Sequence, residues 1–110
     1  MKNQSEIVEI RRYTISTGRW DEFLVRFQDV TIPIMNRLGF RFGQAWSAID
    51  GPEVFTYTLY WAKEQDMFDG WELFGSQEDW LASKAAEGDT PLLSSFERSM
   101  GKSESWFIIG

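Results

Sequence analysis

FRFGQAWSAIDGPEVFTYTLYWA, residues 40–62, reads as a β-hairpin. Two runs rich in aromatic and β-branched residues, 40–48 and 54–62, flank Ile49-Asp50-Gly51-Pro52-Glu53. Asp-Gly between two such runs is a strong turn signal. Pro52 has no N–H to donate, which argues against the tightest two-residue turn. With a two- or four-residue loop, Phe40, Phe42, Gln44 and Trp46 share a face with Phe55, Tyr57, Leu59 and Trp61. Gly43, Ala45, Ser47, Val54, Thr56 and Thr58 then fall on the other face. A three-residue loop would reverse the two strands relative to each other.

Outward from the hairpin, the pattern on each side is a strand and a helix. Residues 6–15, EIVEIRRYTI, form a run rich in β-branched residues, ended by Thr17-Gly18. Over 19–38, Trp20, Phe23, Leu24, Phe27, Val30, Thr31, Ile34 and Leu38 recur at helical steps. Pro33 predicts a kink or break near Thr31, and Gly39 stands where a C-terminal cap belongs. A second helical stretch covers 64–87, with Met67, Trp71, Phe74, Trp80, Leu81 and Ala85 on its apolar side. Gly75-Ser76 breaks it, Ser76 with Asp79 suggests a capped restart, and Gly88 ends it. In the Ser-rich segment 89–103, Leu92, Leu93, Phe96 and Met100 are spaced for one short helix, and Trp106-Phe107-Ile108-Ile109 reads as a final strand. The order β-α-β-β-α-β predicts an α+β, ferredoxin-like domain spanning 1–110. Its four-stranded sheet is antiparallel, with both helices on one face.

Composition removes several function classes. The net charge is −6. Between Lys63 and Gly88, seven acids (Glu64, Asp66, Asp69, Glu72, Glu78, Asp79, Glu87) face only Lys63 and Lys84. Such a surface repels phosphate, which argues against nucleic acid and anionic membranes as partners. Cysteine and histidine are both absent. No disulfide, thiolate nucleophile, Ser-His-Asp triad or His-ligated haem or zinc can be built from this chain. No calcium-type Asp/Glu loop and no Gly-x-Gly-x-x-Gly turn occurs, so no metal, haem, flavin or dinucleotide cofactor is expected. The start, MKNQSEIVEI, lacks an apolar signal core. No run of about 18 apolar residues is present to span a membrane. The cytoplasm is the expected compartment.

The two sheet faces differ in bulk. The helices carry large rings, and large knobs pack well against small positions. This places the small set under the helices and the aromatic set on the open face, where a second copy of the chain would cover it. With Val8 and Ile10 toward the helices, Glu9, Arg11 and Tyr13 project from the open face. Arg12 is then turned toward the helices, where a charge is costly. Glu9, Arg11 and Tyr13 read as a polar cluster for a small acidic or phenolic ligand, or as an ion pair that fixes dimer register. Trp46 and Tyr57 read as walls of an aromatic slot, or as interface packing. Trp71, Phe74 and Trp80 read as helix packing and not as a ligand box.

In these residues the chain resembles the NIPSNAP family of the dimeric α/β-barrel superfamily. The pieces run in order: Glu9-Ile10-Arg11-Arg12-Tyr13-Thr14, Gly18, Gly39-Phe40, Trp46, Asp50-Gly51-Pro52, Tyr57, Leu59, Trp61, Trp71, Phe74, Asp79-Trp80 and Lys84. Arg12 and Trp61 depart from the family's usual small residue and Tyr. The resemblance implies a ferredoxin-like domain that pairs sheet to sheet as a homodimeric barrel, and implies little chemistry. Related barrels include cofactor-free monooxygenases, dechlorinating and dehydrating enzymes, and haem enzymes whose His ligand this chain lacks.

Two function classes follow. In the first, the protein binds a small aromatic or acidic molecule inside the barrel through Glu9, Arg11, Tyr13, Trp46 and Tyr57, with a cofactor-free oxygenase as its narrower form. In the second, it is a non-catalytic interaction protein whose dimer is the functional unit. A cavity of about 300 Å³ reached by polar groups distinguishes the first from the second.

Overall fold

The computed structural model of the protein describes residues 6–104, 106 and 107. The elements run β1 (Ile7–Ile15), α1 (Trp20–Arg26), a π-helical turn (Phe27–Thr31), α2 (Ile32–Leu38), β2 (Arg41–Ser47), β3 (Val54–Trp61), α3 (Glu64–Gly75), α4 (Glu78–Ala85) and β4 (Leu93–Lys102). The strands form one sheet in the order β2-β3-β1-β4, with every neighbouring pair antiparallel. This is the expected ferredoxin-like α+β topology.

The helical stretch 19–38 is continuous, and its irregularity lies where Pro33 requires one. Pro33 has no N–H to bond back up the helix. The chain widens just before it, so that the Ile32 N–H bonds the Phe27 carbonyl five residues back. Gly39 closes α2 with φ 82°, a left-handed conformation that costs glycine little. At the other break, Ser76 does not cap α4. Its hydroxyl donates to the Leu73 carbonyl at 2.8 Å, closing α3 instead, and Gln77 takes the N-cap position.

The C-terminal reading changes most. Residues 93–102 are a strand, not a short helix, and Trp106 and Phe107 lie outside any strand. Ile108 and Ile109 fall outside the described residues. Phe96 and Met100 lie opposite Tyr13 and Glu9 on β1. Their four-residue separation fits one strand face as well as one helix face. Pairing with β1 decides between the two, in a stretch whose serines compete with helical hydrogen bonding.

The sheet faces are the reverse of those expected. Glu9 and Tyr13 on β1, and Phe55, Tyr57, Leu59 and Trp61 on β3, pack under the helices. Phe23 meets Tyr13 edge-on, and Phe27 does the same to Phe55 and Tyr57. Rings pack on rings here, because edge-to-face geometry fills the layer without needing small partners. Arg12, opposite Thr56 and Glu97, turns to the open face, which removes the cost of a charge under the helices.

The connection 49–53 has an odd number of residues, so Trp46 lies opposite Thr56 on the open face, 50% exposed. Further along, the register shifts by one residue between Phe42 and Ala45, which returns Phe42 to the side of Leu59. Gly43 makes that bulge possible. A Cβ there would fall 2.1 Å from Thr58 Oγ1, the atom that accepts the Gln44 N–H at 2.8 Å.

Candidate functional site

Glu9, Arg11 and Tyr13 alternate along β1, and alternation puts all three on the helix-covered face. Glu9 is 0% exposed. Its Oε1 accepts from Trp61 Nε1 and Trp71 Nε1 at 2.9 Å each, and its Oε2 accepts from Arg11 Nη1 at 2.9 Å and Trp71 Nε1 at 3.0 Å. Both oxygens are therefore engaged by donors of three side chains, which fixes Glu9 between the sheet and α3. Its donors are brought close by Gly70 on α3. A Cβ at Gly70 would stand 2.7 Å from the Trp61 ring, so only glycine lets α3 approach this near.

Arg11 is clamped along its length. Its guanidinium lies 3.8 Å from the Trp71 ring centroid and 4.6 Å from that of Phe96. Nη1 holds Glu9, and Nε donates to the Tyr13 hydroxyl at 3.0 Å. Burial works against its charge, but the Tyr13 and Tyr57 oxygens and the hydrogen bonds to Tyr13 and Glu9 outweigh it, so its pKa rises above the ordinary arginine value. Tyr57, opposite Arg11 on β3, brings its hydroxyl to 2.7 Å from that of Tyr13. Burial first, and then Tyr13, hold the Tyr57 phenol well above its ordinary pKa, and so protonated.

Beside this network, a cavity of about 290 Å³ opens between the sheet and the helices. Arg11, Tyr13, Leu93 and Phe96 form its sheet side. Phe23, Phe27, Trp71, Phe74 and Trp80 line it from the helices, with Thr31 of the π-helical turn. Arg26 and Lys84 also line it, and both pair with Glu87. Burial pushes the Glu87 pKa up, but Arg26 and Lys84 pull harder and leave it below the ordinary value. Trp80 lies under both cations, 5.0 Å from the Arg26 guanidinium and 5.9 Å from Lys84 Nζ.

Of the five candidate residues, Glu9, Arg11, Tyr13 and Tyr57 form one connected network, and Arg11 and Tyr13 reach the cavity. Trp46 is not among them. It lies on the opposite face of the sheet, in an open depression with Ile10, Arg12 and Glu97. The slot is walled instead by Trp71, Phe74 and Trp80, which the sequence pattern presents as packing only. Arg26, Thr31, Lys84 and Phe96 also escaped the sequence reading. The four-residue spacing of Trp80 and Lys84 on α4 carried a signal for Lys84, since a ring and a cation at i, i+4 share a helix face. Among the described residues, no group of three or more Asp and Glu side chains is placed to hold a metal ion. No described helix is long and apolar enough to cross a membrane.

Chemically, the cavity offers flat apolar walls and hydrogen-bond donors. Among the described residues Arg11 bonds through Nε and Nη1, which leaves the N–H groups of Nη2 available. A guanidinium with a free edge beside stacked rings suits a planar organic anion.

A split β-α-β sheet with a helix-covered cavity defines a ferredoxin-like α+β protein. More particularly, the chain has the fold of NIPSNAP family proteins. A NIPSNAP family protein from Agrobacterium tumefaciens superposes with a TM-score of 0.81 at 20% identity, covering 97% of this chain and 93% of the other. An uncharacterized NIPSNAP-like domain protein from Burkholderia xenovorans gives 0.80 at 18% identity, covering 97% and 92%. A candidate antibiotic biosynthesis monooxygenase from Caulobacter crescentus gives 0.66 at 16% identity, covering 93% and 92%. No protein-family profile matches the chain, and no curated protein sequence matches it significantly.

Proposed function

We propose that the protein binds a small aromatic acid in the cavity between its sheet and its helices. The observation that carries this reading is the Arg11 guanidinium, fixed by Glu9, Tyr13 and Trp71, with Nη2 free beside an aromatic-walled cavity of about 290 Å³. A filled interior would have favoured a purely structural dimer. The ligand's ring lies among Phe27, Trp71 and Phe74, and its anionic group meets Arg11. Arg26 and Lys84 outnumber Glu87 and favour the same charge sign.

The test is thermal unfolding with benzoate, phenylacetate and 4-hydroxybenzoate at millimolar concentration. A ligand at ten times its Kd adds about 1.4 kcal/mol to the native state. In a domain of this size, each kcal/mol raises Tm by roughly 4–8 °C. No rise with any of the three acids would overturn the proposal.

The same proposal makes the protein a homodimer through its open sheet face. Ile10 and Trp46 stand exposed there beside Arg12 and Glu97. Exposed apolar side chains flanked by charges of both signs suit a self-complementary contact between two copies, in keeping with the pairing that the family resemblance implies. Light scattering is expected to give twice the chain mass of 12.8 kDa. A monomer at micromolar concentration would remove the dimer from the proposal and leave the cavity untouched.

A further inference from the structure

We propose that Tyr13 and Arg11 form a donor-only grip on an oxyanion, and that Tyr57, which lies outside the cavity wall, strengthens the grip by donating its proton to Tyr13. The inference rests on the reading of the cavity as a ligand site and specifies the chemistry of that ligand. It is bound as an anion, even when it is a weak acid such as a phenol or an enol.

The proton count at the tyrosine pair leads there. A phenol has one hydrogen to give and can accept two. Arg11 Nε already donates to the Tyr13 oxygen at 3.0 Å, and the Tyr57 hydroxyl lies 2.7 Å away on another side. Either tyrosine can be the donor in that contact. An anion in the cavity removes the choice. Tyr13, which lines the cavity, turns its hydrogen to the anion, and Tyr57 fills the lone pair that remains. Among the described residues the Tyr57 hydroxyl bonds to Tyr13 alone. Each hydrogen bond received by the Tyr13 oxygen makes its own O–H a stronger donor. Arg11 and Tyr57 therefore both act on the ligand through one atom, and Arg11 acts again directly through Nη2.

Among the described residues, the carboxylate in hydrogen-bond contact with this grip is Glu9, which accepts from Arg11 Nη1 and leaves Nη2 and the Tyr13 hydroxyl to the ligand. Both Glu9 oxygens are taken by Trp61, Trp71 and Arg11. The other charged groups around the site favour an anion on balance. Arg98 lies opposite Arg11 on β4 with its guanidinium over Phe68, and Arg26 and Lys84 share the single Glu87.

The probe is 4-nitrophenol, whose phenolate has a visible absorption band separate from that of the phenol. Titrating the bound probe with pH is expected to show the phenolate held about tenfold more tightly than the phenol, a downward pKa shift of about one unit. Tyr13→Phe is expected to remove most of the shift and to leave the part that Arg11 Nη2 supplies directly. Tyr57→Phe is expected to reduce it while leaving the cavity wall intact, an effect that a merely structural tyrosine would not produce. Circular dichroism checks that each variant is folded, and either variant alone suffices for the test. A wild-type pKa for the probe bound to either folded variant would overturn the inference. So would benzoate binding to a wild-type protein that leaves the 4-nitrophenol pKa unchanged or does not bind it. If neither benzoate nor 4-nitrophenol binds, the ligand-site reading falls, and the inference falls with it.

Discussion

Glu9→Ala is expected to lower the unfolding free energy by about 3–5 kcal/mol, the usual cost of removing one partner from a buried ion pair. That is a large share of the roughly 5–15 kcal/mol that holds a typical domain together. The substitution leaves the Arg11 cation under the helices without its counter-charge, and leaves the Trp61 and Trp71 N–H groups without their acceptor. Unsatisfied buried donors each carry a desolvation cost of their own. The measurement is the urea midpoint, with the slope checked for two-state behaviour. Pairing the change with Arg11→Met removes the stranded charge, so the double variant is expected to be more stable than Glu9→Ala alone. If Glu9→Ala unfolds within about 0.5 kcal/mol of the parent, the size of an ordinary surface change, Glu9 does not anchor the layer between sheet and helices.

The second large effect falls on binding. Arg11→Ala is expected to weaken benzoate by about 2–5 kcal/mol, the range for truncating one partner of a buried, hydrogen-bonded charge pair. Each 1.4 kcal/mol is about a factor of ten in Kd. Arg11→Lys keeps a positive charge but has no planar fork to hold Glu9, Tyr13 and a ligand together. Most of the affinity is expected to be lost there too. Both variants are measured well below their own Tm, so that a weakened fold is not read as weakened binding. Unchanged benzoate affinity in Arg11→Ala would take Arg11 out of the site.

Much of the architecture was legible because it rests on local chemistry. Asp50-Gly51 marks the connection between β2 and β3, Gly39 closes a helix, and Pro33 disturbs one. The parity of the sheet faces was not legible in the same way. It depends on whether the connection 49–53 has an odd count and on a bulge at Gly43, and each changes which side chains share a face. One residue did carry the answer. Arg12 under the helices would be an unpaired charge, and turning β1 over moves it out and moves Glu9, Arg11 and Tyr13 in. The preference for large rings against small positions outweighed that signal in the sequence reading, whereas in the structure edge-on aromatic contacts fill the layer. β4 was missed because its pairing with β1 is long-range, and serines with apolar residues four apart fit either structure locally. Glu9, Arg11 and Tyr13 were legible as a cluster, since alternation alone brings them together. The other wall of the cavity was not, because Trp71, Trp80 and Lys84 come to the same cavity as Arg11 and Tyr13 only through tertiary packing.

The widened turn at Phe27–Thr31 also sets the angular phase of the long helix. A turn that takes more than four residues rotates everything after it backwards about the axis, relative to an unbroken α-helix. The buried positions change step accordingly: Phe23 and Phe27, four apart, are buried up to the widened turn, and the adjacent Ile34 and Met35 after it, all in one core. Thr31 falls within the widened turn and lines the cavity. The choice of core residues in the second half of the helix and one polar group of the cavity wall thus trace to the same local unwinding.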